Sequence, residues 1–205
     1  MIKEIGFTKN LENEYEFKPV SIDVKMDQPF KHNIDALKFS SYFHENLDGK
    51  ILNINNCAIA GDWIPVSRWT KLVCVSQNFK NIFEKKIKCH WYPTSNPKYF
   101  IFLLDNSIDG LNKDKTLIIN KKDRPYWYES IENEVFIDGI EDEYLFNLTI
   151  EPLKKFCTSK FEELYKNNNL TGIQFYKDIN FQRKDGAVFD GFRFKKYDTE
   201  GNCLE

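Results

Sequence analysis

Two segments of this chain carry one pattern, and this repetition constrains the fold more than any other feature of the sequence. The first segment, VSQNFKNIFEKKIKCHWYP, covers residues 75–93, and the second, FCTSKFEELYKNNNLTGIQFYKD, covers residues 156–178. Each places a hydroxyl residue ahead of a Phe, continues with apolar residues at helical spacing, crosses a short polar stretch and ends in two adjacent aromatic residues. The pattern predicts a helix, a turn and a strand in each segment.

The two copies correspond position by position. The matched pairs are Ser76 with Thr158, Phe79 with Phe161, Ile82 with Leu164, and Phe83 with Tyr165. Because the apolar members are spaced i, i+3 and i+4, each apolar trio lies on one face of its helix and is expected to face the core.

The hydroxyl residues predict where the two helices begin. The side-chain oxygen of Ser76 or Thr158 is suited to accept a hydrogen bond from an N–H group of the first helical turn. Ser159 and Glu162 form a second possible start, because their spacing is that of a capping box. On the exposed side we expect one i,i+4 ion pair per helix, and these pairs are Lys80 with Glu84 and Glu162 with Lys166.

The rest of the chain reads as strands and loops. We predict further strands over 15–24, 50–55, 99–104, 135–138, 144–150 and 191–197, and a helix over 33–46 capped by Asn33. No linker rich in Pro, Gly or Ser divides the 205 residues. The sequence therefore predicts a single α+β domain over 1–205 with a mixed or mostly antiparallel sheet. Two pseudo-related lobes, at about 62–110 and 145–180, carry the repeat.

Cysteines and histidines are too few and too scattered to predict a metal site. The five cysteines never take CxxC spacing, and the chain has three histidines. We expect reduced thiols that are mostly buried, no metal and no cofactor. No apolar run approaches the ~20 residues that span a bilayer, and no signal peptide is recognisable at the start. The predicted location is the cytoplasm, without a membrane partner.

No arrangement typical of an enzyme appears in the sequence. The candidate groups are His44, Cys89, His90, Asp109 and Cys157, and none lies in a nucleophile elbow, a glycine-rich phosphate loop or a metalloprotease helix. We predict a protein that is not an enzyme and has no catalytic residues. The alternative is a small enzyme or ligand-binding domain of unknown chemistry, with a cleft near Cys89, His90 and Asp109.

Negative charge is concentrated in one stretch that is also rich in aromatic residues. Residues 125–153 contain no Lys or Arg. Such a surface fits a basic protein partner, because aromatic residues supply binding energy and carboxylates steer cationic proteins. The other interpretation is an acidic loop whose aromatic residues turn into the core. The candidate partner-binding residues are Tyr126, Trp127, Tyr128, Glu129, Glu132, Glu134, Asp138, Glu141, Asp142 and Glu143.

Nucleic-acid binding is a weaker interpretation. Lysines at 85, 86 and 88 precede Trp91 and Tyr92, a composition that suits backbone contact and base stacking. The sequence pI of about 6.0 argues against it, since nucleic-acid binders usually carry a strong basic bias. A solvated helix end explains the lysines, and we expect no nucleic-acid partner.

The order of short motifs resembles a known family. VS-x-x-F, YP, YFIF and IDG, followed by F-C-T-S-x-F and LTGIQF, resemble bacterial polymorphic-toxin immunity proteins of the immunity-protein-eleven and forty-three type. The resemblance covers roughly residues 62–176. The matching positions are Val75, Ser76, Phe79, Tyr92, Pro93, Tyr99, Ile108, Asp109, Phe161, Gly172 and Phe175.

The resemblance implies a function in binding. Such a protein would neutralise a cognate toxin domain by binding it inside the producing cell, and the matched motif residues would serve as framework. The diverging N-terminal third is then a candidate for partner choice. A structural or chaperone-like adaptor would share the same logic of interaction and differ only in its partner.

Overall fold

The computed structural model describes residues 1–8, 18–23, 36–55, 59–66, 72–121, 124–132, 135–176, 187–189 and 194–196. Its helices are α1 (Ala36–Leu47), α2 (Gln77–Phe83) and α3 (Ser159–Asn167), with a 3₁₀ turn at Ile140–Asp142. Its strands are β1 (Ile2–Phe7), β2 (Ser21–Ile22), β3 (Ile54–Asn55), β4 (Trp63–Pro65), β5 (Leu72–Ser76), β6 (Cys89–Pro93), β7 (Tyr99–Leu104), β8 (Ser107–Ile108), β9 (Leu117–Lys121), β10 (Arg124–Glu132), β11 (Leu145–Leu148), β12 (Glu151–Thr158), β13 (Ile173–Phe175), β14 (Ala187–Phe189) and β15 (Phe194–Lys196).

Two larger sheets carry the two copies of the repeat. The four-stranded sheet has the order β4-β5-β7-β6, and all its neighbouring strands are antiparallel. The five-stranded sheet has the order β13-β1-β12-β11-β8, and only β11 and β8 are parallel. These sheets and the few helices confirm the predicted α+β fold with mostly antiparallel pairing.

Each helix of the repeat crosses between two strands that are not neighbours. Helix α2 joins β5 to β6, and β7 lies between them. Helix α3 joins β12 to β13, and β1 lies between them. Strand β1 therefore occupies the same position in the five-stranded sheet as β7 does in the four-stranded sheet. Unlike β7, β1 is distant in sequence from the strands on either side of it. We call residues 62–105 lobe 1, and residues 1–8 with 144–176 lobe 2.

The strand registers of the two lobes correspond pair by pair. The matched cross-strand pairs are Trp63–Val75 with Leu145–Cys157, Ser76–Tyr99 with Thr158–Ile2, and Trp91–Phe102 with Phe175–Ile5. The repeat seen in the sequence is thus a repeat of three-dimensional structure, and one of its strands is supplied by a segment in which the sequence showed no copy of the pattern.

The two lobes share one core built from the predicted helix faces. Phe79 and Phe161 are fully buried, as predicted, and so is Phe83. The ring of Phe83 stacks on that of Phe161, and Trp63 packs against Phe79 with ring centroids 5.3 Å apart. The repeated helices therefore face each other across the lobe boundary.

Separate layers cover the outer faces of the two sheets. Phe43 and Leu47 of α1 pack with Leu72 and Ile101 on the outer face of lobe 1. On lobe 2, the core residues are Leu111, Ile140, Phe146, Leu148 and Phe156, and several of them come from the segment between β8 and β11. The acidic stretch is thereby connected to the core of lobe 2.

The predicted helix starts are confirmed in position but differ in chemistry. Ser76 is the N-cap of α2, and its hydroxyl oxygen accepts from the N–H of Phe79 at 3.1 Å. Thr158 occupies the N-cap of α3 without such a bond, and its hydroxyl donates to the carbonyl of Glu143 at 2.6 Å. The alternative start at Ser159 was wrong, because Thr158 is the N-cap. The predicted ion pair of Glu162 with Lys166 is confirmed, but its expected exposure was wrong, since Glu162 is nearly buried and also binds Lys3.

The other predicted elements had mixed outcomes. The strand over 99–104 is confirmed, 144–150 contains β11, and the helix over 33–46 corresponds to α1, although Asn33 lies outside the described residues. The strand predicted over 135–138 was wrong, because only Phe136 forms a β-bridge and a turn follows. Strands β2, β3 and β15 cover parts of the predicted ranges 15–24, 50–55 and 191–197. Val20 and Leu52 add isolated β-bridges to Val66 and Thr94, and parts of the first and third ranges lie outside the described residues.

Candidate functional site

A short acidic turn projects from lobe 2 between β10 and β11. We call residues 137–142 the acidic turn. Ile137 is 43% exposed although it is a large apolar residue, and Asp138, Glu141 and Asp142 are exposed beside it. The turn thus presents one apolar side chain among carboxylates, which is the mixture typical of a protein-binding surface.

The acidic turn is held in place by its backbone and by one buried side chain. Ile137 donates its N–H to the carbonyl of Gly110 at 2.9 Å, and Asp142 donates its N–H to that of Gly139 at 3.1 Å. Gly139 has a φ of 86°, a value that favours glycine at this bend. Ile140 packs into the core of lobe 2, directly against Gly110. A Cβ atom added to Gly110 would lie only 2.6 Å from the Cδ1 atom of Ile140. The exposed residues therefore stand on an anchored support.

The carboxylates of this region do not all face solvent freely. The Lys160 ammonium lies 2.7 Å from Asp142, and this hydrogen bond lowers the pKa of the Asp142 carboxyl. Glu143 is half-buried and accepts from the Asn106 amide at 2.8 Å. The expectation of an acidic surface without a neighbouring cation was thus wrong, because α3 brings Lys160 to it. Among the described residues, Asp138 and Glu141 make no ion pair and are the carboxylates left for a partner.

The aromatic half of the predicted surface lies in a strand, not a loop. Tyr126, Trp127, Tyr128, Glu129 and Glu132 belong to β10, which pairs with β9 through two register shifts. The structure describes these residues through their backbone alone, and Glu134 lies outside the described residues. The β9–β10 hairpin leads along the chain into the acidic turn.

The family-motif residues are mainly framework. Phe79, Phe161 and Phe175 meet in the shared core, and Tyr92 is buried in the outer core of lobe 1. Pro93 is exposed at the end of β6. Phe79, Phe161 and Phe175 thus lie where the two lobes pack together.

One contact between the lobes was missed by sequence reasoning. Asp62, the residue before β4, accepts from the Ser76 hydroxyl with one carboxylate oxygen and from the Thr171 N–H and hydroxyl with the other, at 2.9 and 3.1 Å. Next to it, Gly172 has a φ of 102°, and a Cβ there would lie 2.2 Å from the Trp63 carbonyl oxygen. Asp62 and Gly172 therefore close the junction of the two repeats, which explains why the second copy carries Gly at this point.

The residues proposed for an alternative cleft point in different directions. Cys89 packs on the shared core and its thiol donates to the Ile87 carbonyl, whereas His90 lies on the opposite face of β6. Burial, followed by the charges of Glu84 and Asp105, raises the pKa of the Cys89 thiol to about 12. Asp109 is exposed and pairs with Lys113 at 2.6 Å. These three side chains are not brought together.

A different polar cluster surrounds His90. Its Nε2 lies 3.5 Å from the Asp105 carboxylate, and its ring stacks on that of His44 with centroids 4.0 Å apart. The Nδ1 of His44 lies 3.2 Å from the Tyr92 hydroxyl. The sequence singled out both histidines separately, and only the packing of α1 on the sheet brings them together.

The other side chains considered for chemistry or nucleic-acid binding are buried or packed against neighbouring side chains. Burial raises the pKa of the Cys74 and Cys157 thiols to about 12, so both are unreactive in the folded protein. Trp91 packs on Phe102 with ring centroids 5.1 Å apart, which leaves it poorly placed to stack on a base. Among the described residues, no three His, Cys, Asp or Glu side chains come together as a metal site requires. In the same part of the chain, no helix is long and apolar enough to cross a bilayer.

Comparison with known proteins gives no family assignment. No protein-family model matches the chain, and no curated protein matches it in sequence. A proposal for the function of this chain therefore depends on the geometry of the described residues and on the order of the sequence motifs.

Proposed function

We propose that this chain is an immunity protein that binds a cognate polymorphic-toxin domain in the cytoplasm and neutralises it by covering its working surface. The order of the motifs is the first support. The second is that the buried motif residues form a rigid two-lobed framework with no catalytic arrangement among the described residues. Its partner is a protein with a basic binding surface.

The single observation that carries the proposal is the composition of the acidic turn. The exposed Ile137 shares the turn with Asp138 and Glu141, whose carboxylates make no ion pair among the described residues, on a support anchored by Ile140. An apolar side chain at the centre of an interface supplies binding energy, and rim carboxylates accelerate association with a cationic partner. Because the turn is already held in one conformation, little ordering would oppose binding.

The experiment that tests the proposal is co-purification with the tagged full chain from its native bacterium, followed by an assay of toxicity. The expected partner is the C-terminal domain of a large secreted protein, and co-expression of this chain should protect cells from that domain. Recovery of a partner whose toxicity is unchanged by this chain would contradict the proposal. Recovery of no stable partner would favour the alternative, a ligand-binding domain that uses His90, whose charge partner in the structure is Asp105.

A further inference from the structure

The stacked pair of His44 and His90 joins helix α1 to the four-stranded sheet of lobe 1, beside a layer of apolar contacts and one polar contact between His44 and Tyr92. His44 lies in the last turn of α1, and His90 lies in β6 of lobe 1. Their rings are nearly parallel, with an interplanar angle of 21° and centroids 4.0 Å apart. The contact is made where α1 covers the outer face of the four-stranded sheet.

The two histidine rings have different charged and polar neighbours. From the end of β7, the Asp105 carboxylate lies 3.5 Å from Nε2 of His90. From β6, the Tyr92 hydroxyl meets His44, and Lys88 is exposed on the same strand side. After α1, Asp48 acts with Asp105 on the Tyr92 phenol, whose pKa is raised mainly by burial.

Two further charged groups lie near the end of α1. The ammonium group of Lys50 donates a hydrogen bond to the Asn46 carbonyl at 2.5 Å, and Glu45 is exposed. Within the described part of the chain, His90 thus has a carboxylate partner and His44 has none at ion-pair distance.

We propose that His44 and His90 form a proton-operated latch that holds α1 on lobe 1 at neutral pH and releases it on acidification. Histidine gains its charge as the pH falls from about 8 to 5. With both rings charged, two like charges face each other at 4.0 Å, a separation at which the repulsion is large even near a protein surface. His90 and Asp105 both stay on the sheet, so the repulsion is relieved when His44 leaves with α1.

Release of α1 would uncover an apolar surface. Phe43 and Leu47, which are 1% and 0% exposed, would leave the outer face of the sheet. The residues uncovered beneath them are Leu72, Cys74, Ile101 and Leu103. Acidification would thus convert a covered face into one that binds apolar probes or partners. This device is independent of the acidic turn and of the proposed toxin partner.

Hydrogen exchange of the full chain at pH 7.5 and 5.0, corrected for intrinsic exchange rates, tests the latch. We expect the amides of α1 to lose protection by about tenfold or more at pH 5.0, while those of β12 and α3 keep theirs. His90→Gln removes one of the two facing rings, so α1 should stay protected at pH 5.0 in this variant. Asp105→Asn removes the negative charge beside the pair, so α1 should be released at pH 5.0 at least as fully as in the parent.

His32→Gln is the matched control, because it removes the third histidine and leaves both rings of the latch in place. It should respond to pH as the parent chain does. The latch would be refuted if α1 were equally protected at both pH values in the parent chain. It would also be refuted if His90→Gln released α1 at pH 5.0 as the parent does, or if Asp105→Asn kept α1 protected at that pH.

Discussion

The ring of Phe83 is stacked on the ring of Phe161, with centroids 4.7 Å apart and an interplanar angle of 26°. These residues belong to different copies of the repeat, so the copies meet through their helices. The contact explains why the apolar helical face occurs twice: each copy buries the face of the other.

Truncation of the paired aromatic residues should therefore be costly in either copy. Phe79→Ala and Phe161→Ala should each lower the free energy of unfolding by about 3–5 kcal/mol, because each leaves a cavity in a fully buried site. Urea unfolding followed by far-UV circular dichroism measures the change. A loss below about 1 kcal/mol in either variant would contradict the shared core.

Replacing Gly172 by any other residue should destabilise the fold through a steric clash, whereas a side chain at Gly49 would meet no such clash. Both residues have a positive φ, of 102° and 70°, but only at Gly172 would a Cβ collide with a carbonyl. Gly49→Ala should cost about 1–2 kcal/mol for its backbone conformation alone. Gly172→Ala should cost clearly more in the same unfolding assay, and equal losses would show that the close approach to Trp63 is not maintained.

Asp62 and Ser76 should be energetically coupled. Asp62→Ala removes an acceptor from both Ser76 and Thr171, and we expect a loss of about 1–3 kcal/mol. Ser76→Ala also loses the N-cap, at about 0.5–2 kcal/mol. In a double-mutant cycle the two losses should not add, because the residues share a hydrogen bond. Simple additivity would refute the junction as described.

Stability should decline in acid partly through Glu162. Burial by itself would raise the pKa of this carboxyl, but hydrogen bonds from Lys166 and Lys3 outweigh burial and lower it. The stabilisation is therefore present above the pKa of an unfolded Glu, about 4.3, and is lost as the pH falls through the lower folded value. Glu162→Gln should reduce stability at pH 7 and matter progressively less toward pH 3. A constant difference across that range would contradict this assignment.

Charge reversal on the acidic turn should slow association with the toxin domain. Asp138→Lys with Glu141→Lys changes exposed carboxylates that make no internal ion pair among the described residues, so the fold should be unaffected. We expect an association rate at least about tenfold lower at low ionic strength, with a smaller effect at high salt. Surface plasmon resonance measures both rates.

The matched control for that experiment is Asp23→Lys with Glu45→Lys, which makes the same change in net charge at exposed positions outside the acidic turn. It should leave the association rate close to that of the parent. If both double variants slowed binding equally, net charge and not the acidic turn would determine the rate.

Local patterns of the sequence were sufficient for the features that depend on neighbouring residues. Apolar spacing alone placed Phe79 and Phe161 in the core, and the hydroxyl of Ser76 marked the start of α2. Such features follow from the geometry of one helix, which a few residues determine. The α+β class followed from the same patterns.

The features that the sequence did not predict all depend on distant parts of the chain. Besides the predicted Lys166, Glu162 binds Lys3, which is 159 residues away, and Lys160 reaches Asp142 from another element. His44 and His90 meet only because α1 covers one particular face of lobe 1. No periodicity distinguishes the exposed Ile137 from the buried Ile140, since that difference is decided by what packs on the turn.

The position of β1 between β12 and β13 also has a consequence for synthesis on the ribosome. Glu4 of β1 and its ion-pair partner Lys154 of β12 are 150 residues apart. At translation rates of about 5–20 residues per second, the strand waits roughly 10–30 s for both neighbours to be made. Lobe 1 can assemble during this interval from contiguous chain, whereas lobe 2 must keep a finished strand unpaired. Although β1 is translated before β12 and β13, it is paired only after both, and its two edges are open to other nascent chains until then.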